Sequence, residues 1–407
     1  MKQVEKFPLG FWCTLGAENA PKDEPKAWKE LGCTLTPGCA YREGDDKAHF
    51  RAILDSAYEN GIGIILTDSR AEVRDIPRLG REGYRRNLEA IKADWGDHPA
   101  IWGIFLGDET GKEEYENVCF AFEQAHEVMP SWQPYLNQRA FWPGVEKLLG
   151  FPTWDAYLDD FLKRTGMGFL SYDCYTQMED KQPDGMDLYF TNLRVYGSAA
   201  RRNGVPFWTA LLSVPHFAFR DPSLDDLRWQ MNTALACGAQ GILWFYIYQQ
   251  ELWISNYRNA PVNQVGRRTE KWYEISDLQH IFQRTLAPYL LKFRWEKTLF
   301  NSRAWGGFPL LEEDEDLKKS SDDDMIFAKF TDDAGRKYVL CVNNNCEKSV
   351  NYTLRVRAEK VFELLADGQW RRMAGFLQDD GQIQNSDGVT DVPHWYAPGQ
   401  AVLFRYV

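Results

Sequence analysis

Ala100-Ile101-Trp102-Gly103-Ile104-Phe105-Leu106-Gly107-Asp108-Glu109 is an apolar run that does not alternate and that ends in two acids. A strand with one wet face alternates apolar and polar residues. A continuous apolar run of this length fits a parallel strand covered by helices on both sides. Residues with helical period follow at once, Lys112–Met129, and then another short apolar run, Gln133–Leu136. The same strand–helix unit recurs in both directions along the chain. The strands expected are Leu9–Cys13, Thr34–Pro37, Gly63–Thr67, Ile101–Leu106, Gln133–Leu136, Gly168–Tyr172, Pro206–Leu212 and Gly241–Tyr246. Helical periodicity fills Asp46–Asn60, Gly80–Asp94, Trp154–Thr165, Leu188–Asn203 and Leu224–Cys237. Three of these helices stop at a glycine, Gly61, Gly204 or Gly238, suited to a left-handed cap.

Eight such units within about 290 residues predict an α/β fold, a (β/α)8 TIM-type barrel, rather than a doubly wound sheet. No GxGxxG follows the first strand and there is no P-loop. The texture changes after the helix around Ser276–Leu291. Leu311–Asp324 is acidic and reads as a solvated loop, and alternating runs separated by turns follow from Met325. The expected organisation is a catalytic barrel over 1–300, an acidic linker over 301–324 and a small antiparallel β-sandwich over 325–407.

Composition narrows the function. The 407 residues are 44% hydrophobic and 26% charged, with 47 Lys and Arg against 59 Asp and Glu, a net charge of −12. Binding a phosphate backbone needs clustered cations, so no nucleic-acid partner is expected. No run reaches the roughly 18 to 20 apolar residues that span a bilayer, so no membrane role is expected either. The start Met1-Lys2-Gln3-Val4-Glu5-Lys6 and the short apolar stretch after it are too brief for a signal peptide, and the working expectation is cytoplasmic. Eight cysteines without a CxxC, and six scattered histidines, predict neither a disulfide framework nor a metal site. No cofactor is expected. The 16 Trp, 19 Tyr and 24 Phe raise the case for a carbohydrate ligand, because sugar rings stack their C–H faces on aromatic rings.

The chemistry of such a barrel sits at the C-terminal ends of its strands. Read in order, these ends present Trp12, Pro37 and Tyr41, Asp68 and Arg70, Asp108 and Glu109, Asn137 and Gln138, Tyr172-Asp173-Cys174-Tyr175, Ser213, and Trp244-Phe245-Tyr246. Carboxylates, amides and aromatics on one rim suit a sugar substrate. Asp108 and Glu109 are the catalytic candidates, although Asp108 or Thr110 also qualifies as a helix cap, with Thr110-Gly111-Lys112-Glu113 as a capping box. Tyr172, Asp173, Tyr175, Trp244, Tyr246, Asn137, Asp68 and Arg70 are the substrate-binding candidates. Asp68 and Arg70 are equally able to pair with each other, while Trp102 and Trp208 read as core.

The stretch Asp97-His98-Pro99-Ala100-Ile101-Trp102-Gly103 running into Gly107-Asp108-Glu109 resembles glycoside hydrolases with clan A-like barrels, whose acid/base sits at the end of strand four. Gly241-Ile242-Leu243-Trp244-Phe245-Tyr246 resembles the aromatic floor of those enzymes, and Ala397-Pro398-Gly399-Gln400-Ala401-Val402-Leu403 the last strand of the sandwich that often follows them. The usual clan pattern is Asn-Glu on strand four and a second Glu on strand seven. Here strand four ends in Asp-Glu and strand seven, Val205–Ser213, carries no acid. The adjacent Asp-Glu pair is similar to that of glycoside hydrolase family 123 and related β-N-acetylgalactosaminidases. That resemblance implies removal of a terminal β-linked N-acetylhexosamine, with N-acetylgalactosamine favoured, by a substrate-assisted mechanism. Asp108 would orient the 2-acetamido group, Glu109 would serve as acid and base, and Tyr172 or Tyr175 would hold the acetamido carbonyl. Two other readings stay open: a β-galactosidase-like enzyme pairing Glu109 with Asp173, and a glycan-binding barrel without turnover.

Overall fold

The computed structural model describes residues 5–13, 15–96, 98–179, 184–250, 255–312, 314–373, 385–386 and 388–407. Met1–Val4 of the basic start, and Asp97 of the strand-four motif, lie outside the described residues. Two compact units emerge. One comprises Met1–Asp180, Val195–Asp221 and Gly241–Gln279, and the other Lys181–Arg194, Pro222–Gln240 and His280–Val407.

The first unit holds eight parallel strands: β1 (Leu9–Phe11), β2 (Leu35–Tyr41), β3 (Gly63–Asp68), β4 (Ile101–Asp108), β5 (Gln133–Asn137), β6 (Leu170–Asp173), β7 (Phe207–Leu212) and β8 (Ile242–Phe245). The chain's helices are α1 (Glu24–Leu31), α2 (Lys47–Glu59), α3 (Ile76–Trp95), α4 (Tyr115–Val128), α5 (Val145–Leu148), α6 (Trp154–Thr165), α7 (Gly185–Asn203), α8 (Leu224–Ala236), α9 (Glu270–Arg284) and α10 (Ala287–Leu290). The ladders run β2-β3-β4-β5 and β6-β7-β8-β1, and two seams close them into a barrel. At the seam between β5 and β6, the Gln138 N–H donates to the Ser171 carbonyl at 2.7 Å. Between β1 and β2 the threonines stand in for part of the ladder. The Leu9 and Phe11 N–H groups donate to the hydroxyls of Thr34 and Thr36 at 2.9 and 3.1 Å. Gly10 makes this approach possible, since a Cβ there would lie 2.3 Å from the Leu35 carbonyl oxygen.

Inward-facing rings fill the barrel. Trp208 lies on Phe169 with centroids 4.0 Å apart and stacks on Trp102 at 5.6 Å, and Tyr135 stacks on Phe169 at 5.4 Å. Trp12 and Phe105, 5.4 Å apart, lie against Tyr135. Trp102 and Trp208 are thus core, as their sequence positions suggested. Above this aromatic plug the interior turns polar, beginning with Ser171 and Asn137.

The second unit is built from two antiparallel sheets. Its strands are β9 (Arg294–Phe300), β10 (Leu317–Lys318), β11 (Met325–Thr331), β12 (Lys337–Asn343), β13 (Val350–Val356), β14 (Val361–Leu364), β15 (Trp370–Arg372), β16 (Asn385–Ser386), β17 (Val389–Tyr396) and β18 (Ala401–Tyr406). They order as β15-β14-β18-β12-β11-β9 and β10-β13-β17-β16. Phe327, Val339, Tyr352, Leu354, Val392 and Phe404 form much of the core between them. The acidic stretch departs from the solvated loop expected of it. Asp314 is buried and ion-paired with Lys297 and Lys329, and Asp316 with Lys329 and Lys337 at 2.6 and 2.8 Å. Two of its acids thus neutralise lysines on β9, β11 and β12, while Glu312, Glu315 and Asp322 stay exposed.

Gly103 sets how closely β4 approaches β5, because a Cβ there would fall 2.2 Å from the Gln133 carbonyl oxygen. Backbone, unlike a side-chain tip, cannot swing away. Gly103→Ala is expected to lower stability by about 2–3 kcal/mol, read as a reduced urea midpoint with an unchanged m-value.

Candidate active site

The C-terminal end of β4 positions two adjacent acids differently from an ordinary strand. Successive residues of a strand face opposite sides, so Asp108 and Glu109 would normally diverge. Asp108 faces the barrel mouth in register with Asn137. Glu109 then adopts φ +45°, the left-handed region that a non-glycine residue rarely enters. Its N–H stays fixed on the Asn137 carbonyl at 2.9 Å. The turn brings the Glu109 side chain back toward the mouth, where its carboxylate lies 3.7 Å from the Arg139 guanidinium. Neither acid serves as a helix cap. Gly111 occupies that position, and the Glu114 carboxylate accepts its N–H at 2.5 Å. Arg74 instead donates to the Asp108 backbone carbonyl at 2.7 Å.

Asn137 organises the carboxylates. Its Nδ2 donates to Asp108 Oδ1 at 3.1 Å and to Asp173 Oδ1 at 2.7 Å. This orientation of the amide suits its partners, since Nδ2 faces two carboxyl groups while the Ser171 hydroxyl donates to Asn137 Oδ1 at 3.0 Å. With its proton committed there, Ser171 Oγ accepts from the Tyr135 hydroxyl at 3.0 Å. A chain of donors therefore runs from the aromatic plug up to two carboxylates. Asn137, expected to bind sugar, is occupied within the protein.

Three carboxyl groups so close together cannot all ionise freely. Burial pushes Asp173 up to about 8, helped by the charges of Glu109 and Asp108 and opposed by hydrogen bonds from Asn137 and Tyr175. Asp173 is therefore largely a neutral acid at pH 7. Glu109 is raised above its ordinary value by desolvation and then by the Asp108 charge, against the pull of Arg139 and Arg74. Asp108 stays exposed at the mouth, yet the protein around its carboxyl still raises it, while Asn137, Arg74 and Arg139 oppose that shift.

Aromatic rings flank the carboxylates. Tyr175 lies 5.3 Å from Phe245, which stacks on Tyr246 at 3.9 Å, and the Tyr246 hydroxyl donates to that of Tyr257 at 3.2 Å. His216 packs on Phe245 at 4.7 Å. The fold therefore gathers Asp108, Glu109, Asn137, Asp173, Tyr175 and Tyr246 of the expected residues.

Four others lie elsewhere. Tyr172 is fully buried and stacks on Tyr196 at 4.0 Å, on the face of β6 opposite Ser171 and Asp173, so it cannot hold a substrate carbonyl. Trp244, expected as a stacking wall, is also fully buried. It pairs in register with Phe11, which packs on Trp28 of α1, and in-register neighbours share a face. The floor is formed by Phe245 and Tyr246 instead. Asp68 and Arg70 form a buried ion pair at 2.7 Å, completed by Trp95 Nε1 on Asp68 at 3.0 Å and Asp94 on Arg70 at 2.8 Å. Every strong acceptor position of Asp68 is filled from within. Arg139 and Ser171 went unread, and Phe245 was read at the rim without being singled out for binding. Arg139 stands only two residues beyond Asn137, but an arginine in a loop carries no distinguishing pattern.

The buried acid gives the site a pH signature. In the unfolded chain Asp173 loses its proton near 3.8, while in the fold it holds it to about 8. Its contribution to stability is full below the first value and is lost progressively as pH rises to the second. Asp173→Asn removes that dependence. The variant's melting temperature should gain on wild type steadily across this window and then stay parallel above about pH 8, as followed by calorimetry.

No family model matches the chain, and no curated protein matches it in sequence. Solved structures do resemble it. A structure described as a glycoside hydrolase superposes with a TM-score of 0.62 at 12% identity, over 98% of this chain and 92% of that one. A glycoside hydrolase family 5 structure from Bacteroides vulgatus ATCC 8482 gives 0.61 at 13% identity, over 98% and 89%. A β-galactosidase from the Antarctic haloarchaeon Halorubrum lacusprofundi gives 0.52 at 13% identity, over 68% of this chain. The chain spans 58% of that enzyme, and 59% of a β-galactosidase from the psychrophilic Marinomonas ef1. At these identities the likeness is one of fold: a (β/α)8 barrel carrying an antiparallel β-domain.

Proposed function

We propose that the protein is a glycoside hydrolase that removes a terminal β-linked N-acetylhexosamine, N-acetylgalactosamine in preference, with the substrate's own acetamido group as nucleophile. The observation that carries this reading is the turn at Glu109, which sends two adjacent carboxylates into one mouth, where the Asp108 charge helps Glu109 keep its proton. Asp108, held by Asn137, accepts the acetamido N–H and stabilises the positive charge that grows as the acetamido oxygen attacks C1. Glu109, protonated, donates to the departing glycosidic oxygen and then takes a proton from the water that opens the oxazolinium ion. Tyr175 is the remaining candidate to hold the acetamido carbonyl. The fold shared with glycoside hydrolases supports the class of reaction.

A second reading pairs Glu109 with Asp173 on a plain galactoside, and the fold likeness to β-galactosidases favours it. Against it, an acid that is buried, bonded by Asn137 and largely neutral at pH 7 is a poor nucleophile. Hydrolysis of aryl N-acetyl-β-galactosaminide, N-acetyl-β-glucosaminide and β-galactoside separates the two. The expected result is turnover of the acetamido sugars alone, reduced at least about 100-fold in both Asp108→Asn and Glu109→Gln. Turnover of the β-galactoside by an active Asp108→Asn protein would sink substrate assistance.

Arg139 supplies an independent check. It lowers the pKa of Glu109, and a general acid works only while protonated. Arg139→Gln should therefore move the basic limb of the kcat/KM profile to higher pH. A limb that does not move removes Glu109 from the role of acid.

A further inference from the structure

We infer that the mouth continues into a second sugar subsite whose platform is Phe217, so that the substrate is a glycan of at least two residues rather than a lone terminal sugar. The inference rests on the glycosidase reading above and extends it to what lies beyond the cleaved bond.

Phe217 is anomalous in two respects. It is 58% exposed, an unfavourable place for a large apolar ring. It also sits at φ +46°, where a bulky side chain is a clear outlier. Asn256 and Asn259, in the loop after β8, share the left-handed conformation at +47° and +49°. The two loops hold each other in it. The Phe217 N–H donates to the Ser255 carbonyl at 3.1 Å, and Asn256 Nδ2 donates back to the Phe217 carbonyl at 3.3 Å. The Arg258 N–H donates to the Pro215 carbonyl at 3.3 Å, and Asn259 Nδ2 donates to Asp221 at 2.5 Å. Strained residues persist where surrounding bonds over-determine them, and such clusters mark ligand clamps. Here the bonds keep a phenyl ring in water.

The ring is continuous with the site. From Tyr175, beside Asp173, the rings pass to Phe245 at 5.3 Å, to His216 at 4.7 Å and to Phe217 at 5.1 Å. The half-buried Phe245 of the floor is thus linked through the buried His216 to Phe217, the ring of this series most open to solvent. Arg258 and Asn256, both exposed beside Phe217, offer donors for hydroxyl groups. A flat apolar ring fringed by such donors fits the C–H face of a neutral sugar. An anionic polymer or a second protein would require a larger charged or apolar surface than one ring supplies.

The test is calorimetric binding to the Glu109→Gln protein. The probes are methyl β-glycosides of N-acetylgalactosamine, N-acetylglucosamine and galactose, and the disaccharides in which each is β-linked to galactose. With Phe217 present, a disaccharide should bind about tenfold more tightly than its monosaccharide. Phe217→Ala should abolish that gain without altering monosaccharide binding, and Phe217→Tyr should keep it. A gain that survives Phe217→Ala, no gain at all, or an equal loss for both probes overturns the subsite. Disaccharide binding that depends on Phe217, in a wild-type protein that cleaves no glycoside, would sink the hydrolase reading and leave the subsite standing.

Discussion

A single amide holds the site together. Asn137 presents both of its Nδ2 hydrogens to carboxylates on neighbouring strands, Asp108 on β4 and Asp173 on β6. Reversal would turn Oδ1 onto both carboxyl groups, and in the orientation present Oδ1 accepts from the Ser171 hydroxyl. Ser171 is in turn fixed by Tyr135, whose ring belongs to the packed interior. A chain of hydrogen bonds thus links the polar group at the mouth to the packed rings below it. A buried polar network is worth keeping only when each member is satisfied, and this chain of donors meets that condition.

The same arrangement explains how three acids coexist. One is silenced: Asp173 keeps its proton chiefly because the protein around its carboxyl desolvates it, with nearby carboxylate charge adding to the effect. One is held as an acceptor by Asn137, and the third reaches solvent beside Arg139. Desolvation, two arginines and one amide give three carboxyl groups three different characters. Backbone geometry completes the division, since without the left-handed turn at Glu109 the second acid would leave the mouth.

Much of the fold was legible in the sequence, and the reason is physical. The eight barrel strands are short apolar runs set among stretches of helical period, three of which stop at Gly61, Gly204 or Gly238, and these signals are local. What escaped was either short or unpatterned: α1, eight residues with Pro25 in the first turn, and β17, which contains Pro393 yet pairs with β13 from Thr390 to Tyr396. The site was legible to the extent that a strand end is. Asp108, Glu109, Asn137 and Asp173 were reachable by reading where each strand stops. Facing was not, because it depends on register and on bulges such as that between Phe105 and Gly107, each of which reverses the alternation. Tyr172 and Trp244 were assigned to the mouth for want of that information. The acidic stretch misled for a related reason: charge composition does not disclose that Lys297, Lys329 and Lys337 stand opposite.

The seam at β1 has a consequence for how the molecule is made. Leu9 finds its ladder partner in Ile242, almost at the other end of the barrel, while on its other side it relies on threonine hydroxyls. The first barrel strand to leave the ribosome is therefore the last to be enclosed. Until β8 has been synthesised, Leu9 and Phe11 lack half of their neighbours, and closure requires ordering the longest loop in the unit. A nascent chain of this design holds an apolar edge open until β8 has been made, and exposed strand edges of that kind are where partly folded chains associate.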